Sequence, residues 1–318
     1  MRTRKFLLLC CTLGFATHLF AKSELTSEER MRYQEKAREI LQRASRYYEA
    51  HGVPFPVDDS MEFTLGQRQH SLVGREYILV KTPIAVIWLM KPTGELYMFM
   101  NRELVSGRPN PDVVTQKWTG EEVEMMARQF IIALMGSMPE NLEAKPTMRY
   151  SPGEYEISLK WGEWTVWWNR VDKHGRTFLN DGVRVRLIDG VGAEGFAVNM
   201  WSKYEERDFE PIPKEKALKL AKKHTLKTRI FHKVMAWLKG FFSSSEEVTA
   251  ELYIVNSNVT PREEWPPFME GMKLTSNARL AWVAKYTWSY TNRKGEEESV
   301  GVQVWIDAEN GKFLGGIF

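Results

Sequence analysis

Histidines are the first residues to test for chemistry, and five of the six follow residue 21. His224 and His232 share a predicted helix at a spacing of eight, which is too wide for one metal ion. His174 lies at a predicted hairpin tip. The sequence contains no His-Glu-x-x-His or Gly-x-Ser-x-Gly motif, and we expect no nucleotide-binding glycine loop. We therefore predict a protein that is not an enzyme, with no catalytic residue, no metal site and no cofactor.

Two aspartates, Asp189 and Asp307, each close a predicted strand just before a turn that contains glycine. As a pair of carboxylates they could act in acid–base chemistry if the fold brought them together. A structural role is favoured, because an aspartate at a strand end accepts hydrogen bonds from the backbone of the turn that follows. We therefore expect each of them to cap its own turn.

Tryptophan is unusually frequent, with 12 in the chain. Strand alternation places Trp164, Val166 and Trp168 on one face, and a second alternating set runs from Leu280 to Tyr290. An aromatic face of this kind is either core beneath a helix or a platform for a sugar or peptide, and core is favoured. Trp167 and Trp305 have polar or small neighbours on their own faces. These two residues are therefore the predicted surface contacts for a ligand.

Residues 214–245 carry nine lysines and arginines but a single acid, Glu215. Apolar residues of its second half, among them Trp237 and Phe241, follow helical spacing, and Phe242 comes next. Such a basic, aromatic-bearing helix can lie at a membrane surface or against a partner, and residues 230–242 are the predicted contact. The alternative is that the apolar stripe packs on the sheet. A serine run at 243–245 suggests a break and an appended loop.

The first 21 residues have a positive head, an apolar stretch over 6–20 and a small residue, Ala21, at their end. These are the parts of a secretory signal peptide, and the stretch is too short to span a bilayer. Cleavage after Ala21 leaves a chain without cysteine, because Cys10 and Cys11 both lie inside the segment. It also leaves 41 basic and 41 acidic residues of the original 44 and 41, which excludes a generally basic nucleic-acid binder. We expect export to the periplasm or the cell exterior.

Helix and strand signals alternate in blocks along the rest of the chain. Capping boxes at Thr26–Glu29 and Thr119–Glu122, and Pro213, mark three helix starts. Predicted strands follow each helix, at 76–90 and 95–101, at 154–161, 164–171, 183–189 and 195–201, and at 249–256, 279–291, 299–307 and 312–317. Helices followed by antiparallel strands predict an α+β fold in which a helix packs on an antiparallel sheet, three times over.

The final strand pairs support a repeat, since each has an alternating strand, a turn with glycine and a short return strand. The segment from Val302 to Gly315, with the strand around Trp282, resembles a PepSY-type repeat. Residues 164–189 are similar to the related YcdB/YcdC-type repeat. The resemblance divides the chain into the signal peptide at 1–21 and three units at 22–110, 111–205 and 206–318, the first being degenerate.

The resemblance implies a secreted, non-catalytic accessory module, which in some relatives is part of a peptidase propeptide. We therefore expect a binding protein whose partner is a polypeptide, either a peptidase or an envelope component, and not a nucleic acid. An open sheet edge would allow strand addition. The alternative is a carbohydrate-binding protein that uses surface tryptophans. Exposure of Trp167 and Trp305 in one cleft would favour carbohydrate, whereas their burial beside a long exposed edge strand would favour a polypeptide.

Overall fold

The protein has an α+β fold with helices packed on a large antiparallel sheet, as the sequence predicts. The structure is a computed structural model, and it describes residues 25–58, 60–69, 76–106, 116–151, 162–200, 202–257 and 277–317. The predicted signal peptide at 1–21 and the predicted strand at 154–161 lie outside these residues.

The three long helices begin where the sequence predicts. They are α1 (Ser27–Ala50), α3 (Gly120–Met135) and α4 (Lys214–Leu238), and a short helix, α2 (Arg102–Ser106), was not predicted. Thr26 and Thr119 form complete capping boxes with Glu29 and Glu122, which satisfy backbone N–H groups that a helix start leaves without partners. Each box therefore fixes the first residue of its helix.

Thirteen strands are described, and most follow the helices in groups of four. The first group is β1 (Thr64–Gln69), β2 (Glu76–Lys81), β3 (Ala85–Met90) and β4 (Leu96–Asn101); the second is β5 (Thr147–Ser151), β6 (Glu163–Val171), β7 (Thr177–Ile188) and β8 (Gly192–Asn199). After β9 (Lys203–Tyr204) and α4 come β10 (Phe241–Asn256), β11 (Asn277–Asn292), β12 (Glu297–Asp307) and β13 (Phe313–Ile317). Within each group of four, consecutive strands pair antiparallel.

The three groups join edge to edge into one sheet. Strand β4 pairs with β8 at three positions, Met98–Met100 with Gly195–Ala197. Strand β7 meets β10 at a single parallel pair, Phe178 with Ile254, and β9 adds a short parallel pairing to β11. The C-terminal strands β10 to β13 are therefore attached to the rest of the sheet through few backbone contacts.

The main core clusters follow from which helix covers which strands. Helices α1 and α3 cover the same face of β1 to β8, so the first two groups share a single core that includes Tyr48, Phe99, Phe130 and Trp168. Helix α4 covers β10 to β12, above a second cluster centred on Tyr286 and Trp288. The alternating aromatic face around Trp282 to Tyr290 is therefore core, as predicted.

Two of the final hairpins turn in the same way. Gly94 and Gly311 have φ of 76° and 77°, and each donates its N–H to the carbonyl of the residue four positions earlier, Met90 or Asp307. Positive φ is the reason for glycine at these turns. The hairpin between β7 and β8 turns more tightly at Gly190, with φ of 71°. In the sequence, Asp189 comes three residues before Gly192 whereas Asp307 comes four before Gly311, which agrees with this shorter turn.

The serine run at 243–245 is not a break. Helix α4 ends at Leu238, and after Gly240 the chain enters β10, where Ser243–Ser245 pair with Ser289–Thr291 of β11. The predicted appended loop is therefore wrong, because pairing with a long neighbouring strand outweighs the low strand preference of serine. Over the described ranges, each helix is too short or too polar to cross a bilayer.

Candidate functional site

Trp305 does not lie at the surface. Its side chain is 2% exposed and packs in a small cluster with Val283 on β11 and Leu314 on β13, with partly buried Tyr253 alongside. The expectation that Trp305 contacts a ligand from the surface is therefore wrong. The sequence shows polar and small neighbours along β12, but apolar residues from neighbouring strands close over the ring.

Trp167 is half-buried on the face of the sheet opposite α3, while Trp164, Val166 and Trp168 are buried on the helix side as predicted. On its own face Trp167 lies opposite Arg184 of β7. Neither described cleft includes Trp167 or Trp305. The structure therefore does not bring the two predicted ligand contacts together in a cleft.

The two aspartates at strand ends have different partners. Asp307 caps its own turn as expected, since its Oδ1 accepts from the backbone N–H of Glu309 at 2.9 Å, and its Oδ2 accepts from Arg279. Asp189 instead accepts the backbone N–H groups of Lys117 and Trp118, at 2.6 and 3.1 Å, and the indole N–H of Trp164 at 3.0 Å. Asp189 therefore anchors the start of α3 to the sheet. Both aspartates have structural partners.

Strand β10 has one side that no described strand covers over most of its length. It pairs with β11 at 15 positions, from Phe241 to Asn256, whereas on its other side only Ile254 pairs, with Phe178 of β7. Residues 244–249 are all exposed. A strand with free N–H and C=O groups along one side is a template for another extended chain. The strand predicted from the sequence covers only 249–256, so the exposed first half of β10 was not predicted.

Side chains alternate across the two faces of β10. Towards α4 lie Val248, which is 40% exposed, then Ala250 and Leu252. Towards the opposite face lie the exposed Glu247 and Glu251. Glu246 also lies on the α4 side, where it forms an ion pair with Arg229 at 2.9 Å. An adjoining strand would therefore meet mainly apolar groups on that face and the carboxylates of Glu247 and Glu251 on the other.

The C-terminal half of α4 carries large apolar side chains on its outer side. Trp237 is 63% exposed, so this member of the predicted 230–242 contact is accessible. Phe241 is not equivalent, because it is half-buried against the core under α4. The side chain of Phe242 lies outside the described residues. Of the three aromatic residues predicted here, Trp237 alone is established as exposed.

The histidines that the structure describes do not form a metal site. His224 stacks on Phe313 with ring centroids 4.0 Å apart, and His232 lies near Phe231. Burial lowers the pKa of both His224 and His232. Among the residues that the structure describes, no group of three or more histidine, cysteine, aspartate or glutamate side chains could hold a metal ion.

The hairpin between β7 and β8 contains a glycine pattern, contrary to the expectation of no nucleotide-binding glycine loop. Gly190, Gly192 and Gly195 match the Gly-x-Gly-x-x-Gly spacing of nucleotide-binding loops. In those loops the glycines join a strand to a helix whose N-terminus binds phosphate. Here the turn leads directly into β8, so the helix is missing and the match has no such function.

A cleft of about 370 Å³ lies where α1 and the end of α3 pass over the open ends of β4 and β8. Its wall includes Tyr77, Tyr97 and Met90, and the indole of Trp88 stacks on Tyr77 at 4.9 Å. The charged residues at its rim, Lys36, Glu39 and Arg43, bind one another in ion pairs. A fourth charged residue, Glu95, accepts a hydrogen bond from the Thr93 hydroxyl, so the cleft is lined mainly by apolar groups with few charges.

A buried carboxylate lies at the junction between β7 and the C-terminal strands. Asp181 is 1% exposed, and its Oδ2 accepts from the Ser202 N–H at 3.1 Å and lies 3.4 Å from Arg170 Nη1. Burial raises the pKa of Asp181, although Ser202 and Arg170 partly oppose the shift.

The chain is similar only at a low level to the known proteins with which it was compared. No protein-family model matches the chain, and no curated protein sequence is similar to it. Solved structures similar to it include the Bacillus megaterium YpeB C-terminal domain, at a TM-score of 0.39 and 10% identity over 92% of this chain and 97% of that chain. An uncharacterized protein from Eubacterium rectale has a TM-score of 0.41 and 11% identity, over 91% and 82% of the two chains. Likenesses this weak support no functional conclusion.

Proposed function

We propose that this is an exported binding protein without catalytic activity, and that it holds an extended segment of another polypeptide along β10. The observation that carries the proposal is the side of β10 that, among the described strands, only β7 meets, at Ile254. The exposed part of this strand is long enough for an incoming strand of ordinary length. Backbone hydrogen bonds would supply affinity in this mode, and side chains would supply selectivity.

The side chains of β10 define the chemistry of the bound segment. One face of the segment would lie beside Val248 and Leu252, and the other beside Glu247 and Glu251. Opposite charges across a strand pair stabilise it by about 0.2–1 kcal/mol each. The expected partner therefore alternates apolar residues with lysine or arginine.

Other exposed sheet edges support this function less well. Strand β1 at one end of the sheet has six residues, while β5 and β13 have five each. Short edges are a common way for proteins to prevent strand addition. Strand β10, at 16 residues, is the longer template.

The proposal includes the expected organisation and location of the chain. We take the three groups of one helix and four strands as copies of a PepSY-like unit, at 22–110, 111–205 and 206–318. The matching turns at Gly94 and Gly311 support this relation between the first and third units. Export rests on residues 1–21, and a peptidase or envelope component as partner rests on the PepSY-type resemblance. The carbohydrate alternative has less support, because Trp305 is buried.

The test is binding of a labelled peptide of about ten residues in which lysine alternates with valine or threonine. We expect it to bind the protein that begins at Lys22 and to slow amide hydrogen exchange within β10. A peptide of the same sequence with N-methyl groups at alternate residues cannot form the backbone bonds and should not bind. Equal binding of the two peptides would contradict strand addition.

Two double variants distinguish binding at the β10 edge from attraction by the overall charge of the protein. The double variant Glu247→Lys, Glu251→Lys should weaken peptide binding about tenfold or more, since two attractive pairs become repulsive. The matched control is Glu297→Lys, Glu309→Lys, which reverses two exposed acids elsewhere in the C-terminal unit. If both double variants lose the same affinity, the peptide is attracted by overall charge and β10 is not its site.

A further inference from the structure

The outer side of α4 is an exposed apolar surface next to an exposed basic one. Seven large apolar residues between 226 and 238 are between 37% and 64% exposed: Leu226, Ile230, Phe231, Val234, Met235, Trp237 and Leu238. Isolated exposed apolar residues are ordinary, but a contiguous group of this size marks an interaction surface. We call these seven residues the α4 apolar surface.

The fully buried positions on the sheet side of α4 are small residues, flanked in the first half of the helix by the partly buried Leu218 and Leu220. Ala217, Ala221, Thr225 and Ala236 are its buried positions, and they recur at helical spacing. The alternative that the apolar stripe of this segment packs on the sheet is therefore wrong for residues 226–238. The large side chains face outward because the small ones already fill the contact with β10, β11 and β12.

The charges on α4 complement an anionic surface. At about 100° per residue, Lys216, Lys219, Lys223 and Lys227 project from the same side of the helix as Ile230 and Trp237. All four lysines are exposed, and no ion pair is described for any of them within the described part of the chain. The only acid on the helix is Glu215. One side of α4 is therefore basic over its first half and apolar over its second.

We propose that α4 lies flat in the surface of an anionic lipid bilayer, independently of any polypeptide bound at β10. The α4 apolar surface would enter the boundary between headgroups and acyl chains, and the lysines would contact lipid phosphates. Lysine also suits this position because its long apolar stem reaches from a buried backbone to the headgroups. A second copy of the chain fits less well, since a parallel pair of these helices would bring their lysines together and an antiparallel pair would set the lysines of each against the apolar half of the other.

Vesicle flotation of the protein that begins at Lys22 tests the proposal, and the shortened chain excludes any contribution from the apolar residues 6–20. We expect the protein to float with vesicles of phosphatidylcholine and phosphatidylglycerol and not with phosphatidylcholine alone. Added sodium chloride should weaken the binding, because salt screens the lysines. Failure to float with the anionic vesicles, or equal flotation with both kinds, would overturn the proposal.

Matched variants assign the binding to α4. The double variant Ile230→Ser, Trp237→Ser should lower the partition coefficient between vesicles and water by about tenfold or more, because it removes apolar side chains that enter the bilayer. The control is the double variant Met31→Ser, Met125→Ser, which removes two apolar side chains that are 64% and 52% exposed on other helices. It should leave the partition coefficient unchanged.

A charge series provides the second comparison. The triple variant Lys216→Gln, Lys219→Gln, Lys223→Gln should lower binding by about a hundredfold. Replacement of the exposed Lys81, Lys145 and Lys294 by glutamine is the control and should leave binding unchanged. If the α4 variants float like the wild type, or if the control variants lose as much binding as they do, α4 is not the lipid contact.

Discussion

Gly311 lies where the hairpin between β12 and β13 passes beneath α4. Its replacement tests how closely α4 packs against that hairpin. Its φ of 77° costs any other residue about 1–2 kcal/mol. A Cβ at this position would also lie 3.0 Å from Leu220 Cδ1 and 3.6 Å from Ile212 Cδ1. Because the Leu220 methyl must move aside, we add about 1 kcal/mol for crowding. Gly311→Ala should therefore lower the free energy of unfolding by about 2–3 kcal/mol.

The matched control is Gly175→Ala. Gly175 has nearly the same φ, 76°, but a Cβ there would meet no atom within 4 Å. Its cost should be the conformational part alone, about 1–2 kcal/mol. Urea denaturation followed by circular dichroism measures both variants, and Gly311→Val should be worse than Gly311→Ala because its branched Cβ is less tolerant of positive φ. Equal losses for the two alanine variants would show that α4 yields to the added methyl, and would refute the close packing inferred here.

Three further predictions concern buried acids and processing. Burial raises the pKa of Asp181 above its usual 3.8, so its folded form holds the proton more tightly and stability falls as pH rises past that value. The melting temperature of Asp181→Asn, relative to the wild type, should therefore be higher at about pH 7 than at about pH 4; an unchanged difference would contradict this sign. Asp189→Ala leaves three N–H donors without their acceptor and should cost about 3 kcal/mol in urea denaturation, so a loss below about 1 kcal/mol would be unexpected. Intact mass of the exported protein should correspond to a start at Lys22, and a mass that includes residues 1–21 would rule out cleavage.

Local signals predicted the helices and many strands well. The capping boxes at Thr26 and Thr119 mark the starts of α1 and α3, because the bonds involved join residues three positions apart. The strand predicted at 279–291 is β11, Asn277–Asn292, because alternation reports the burial of one face. These features depend on neighbours in the sequence and so can be read from it.

Features that depend on distant residues were missed. The pairing of Met98–Met100 with Gly195–Ala197 unites the first two groups of strands, and neither segment signals its partner. Trp305 is buried by residues from other strands, which its own strand does not reveal. The basic and apolar character of α4 was predicted, but the orientation of its apolar side depends on how closely Ala217 and Ala221 approach the sheet.

The glutamates of β10 also affect how two copies of the protein meet. An antiparallel pairing of two β10 edges centred on Thr249 would set Glu247 of each copy against Glu251 of the other. Like charges directly opposite each other destabilise a strand pair, so these glutamates disfavour pairing of β10 with β10 of a second copy. The same glutamates favour pairing of β10 with a basic segment.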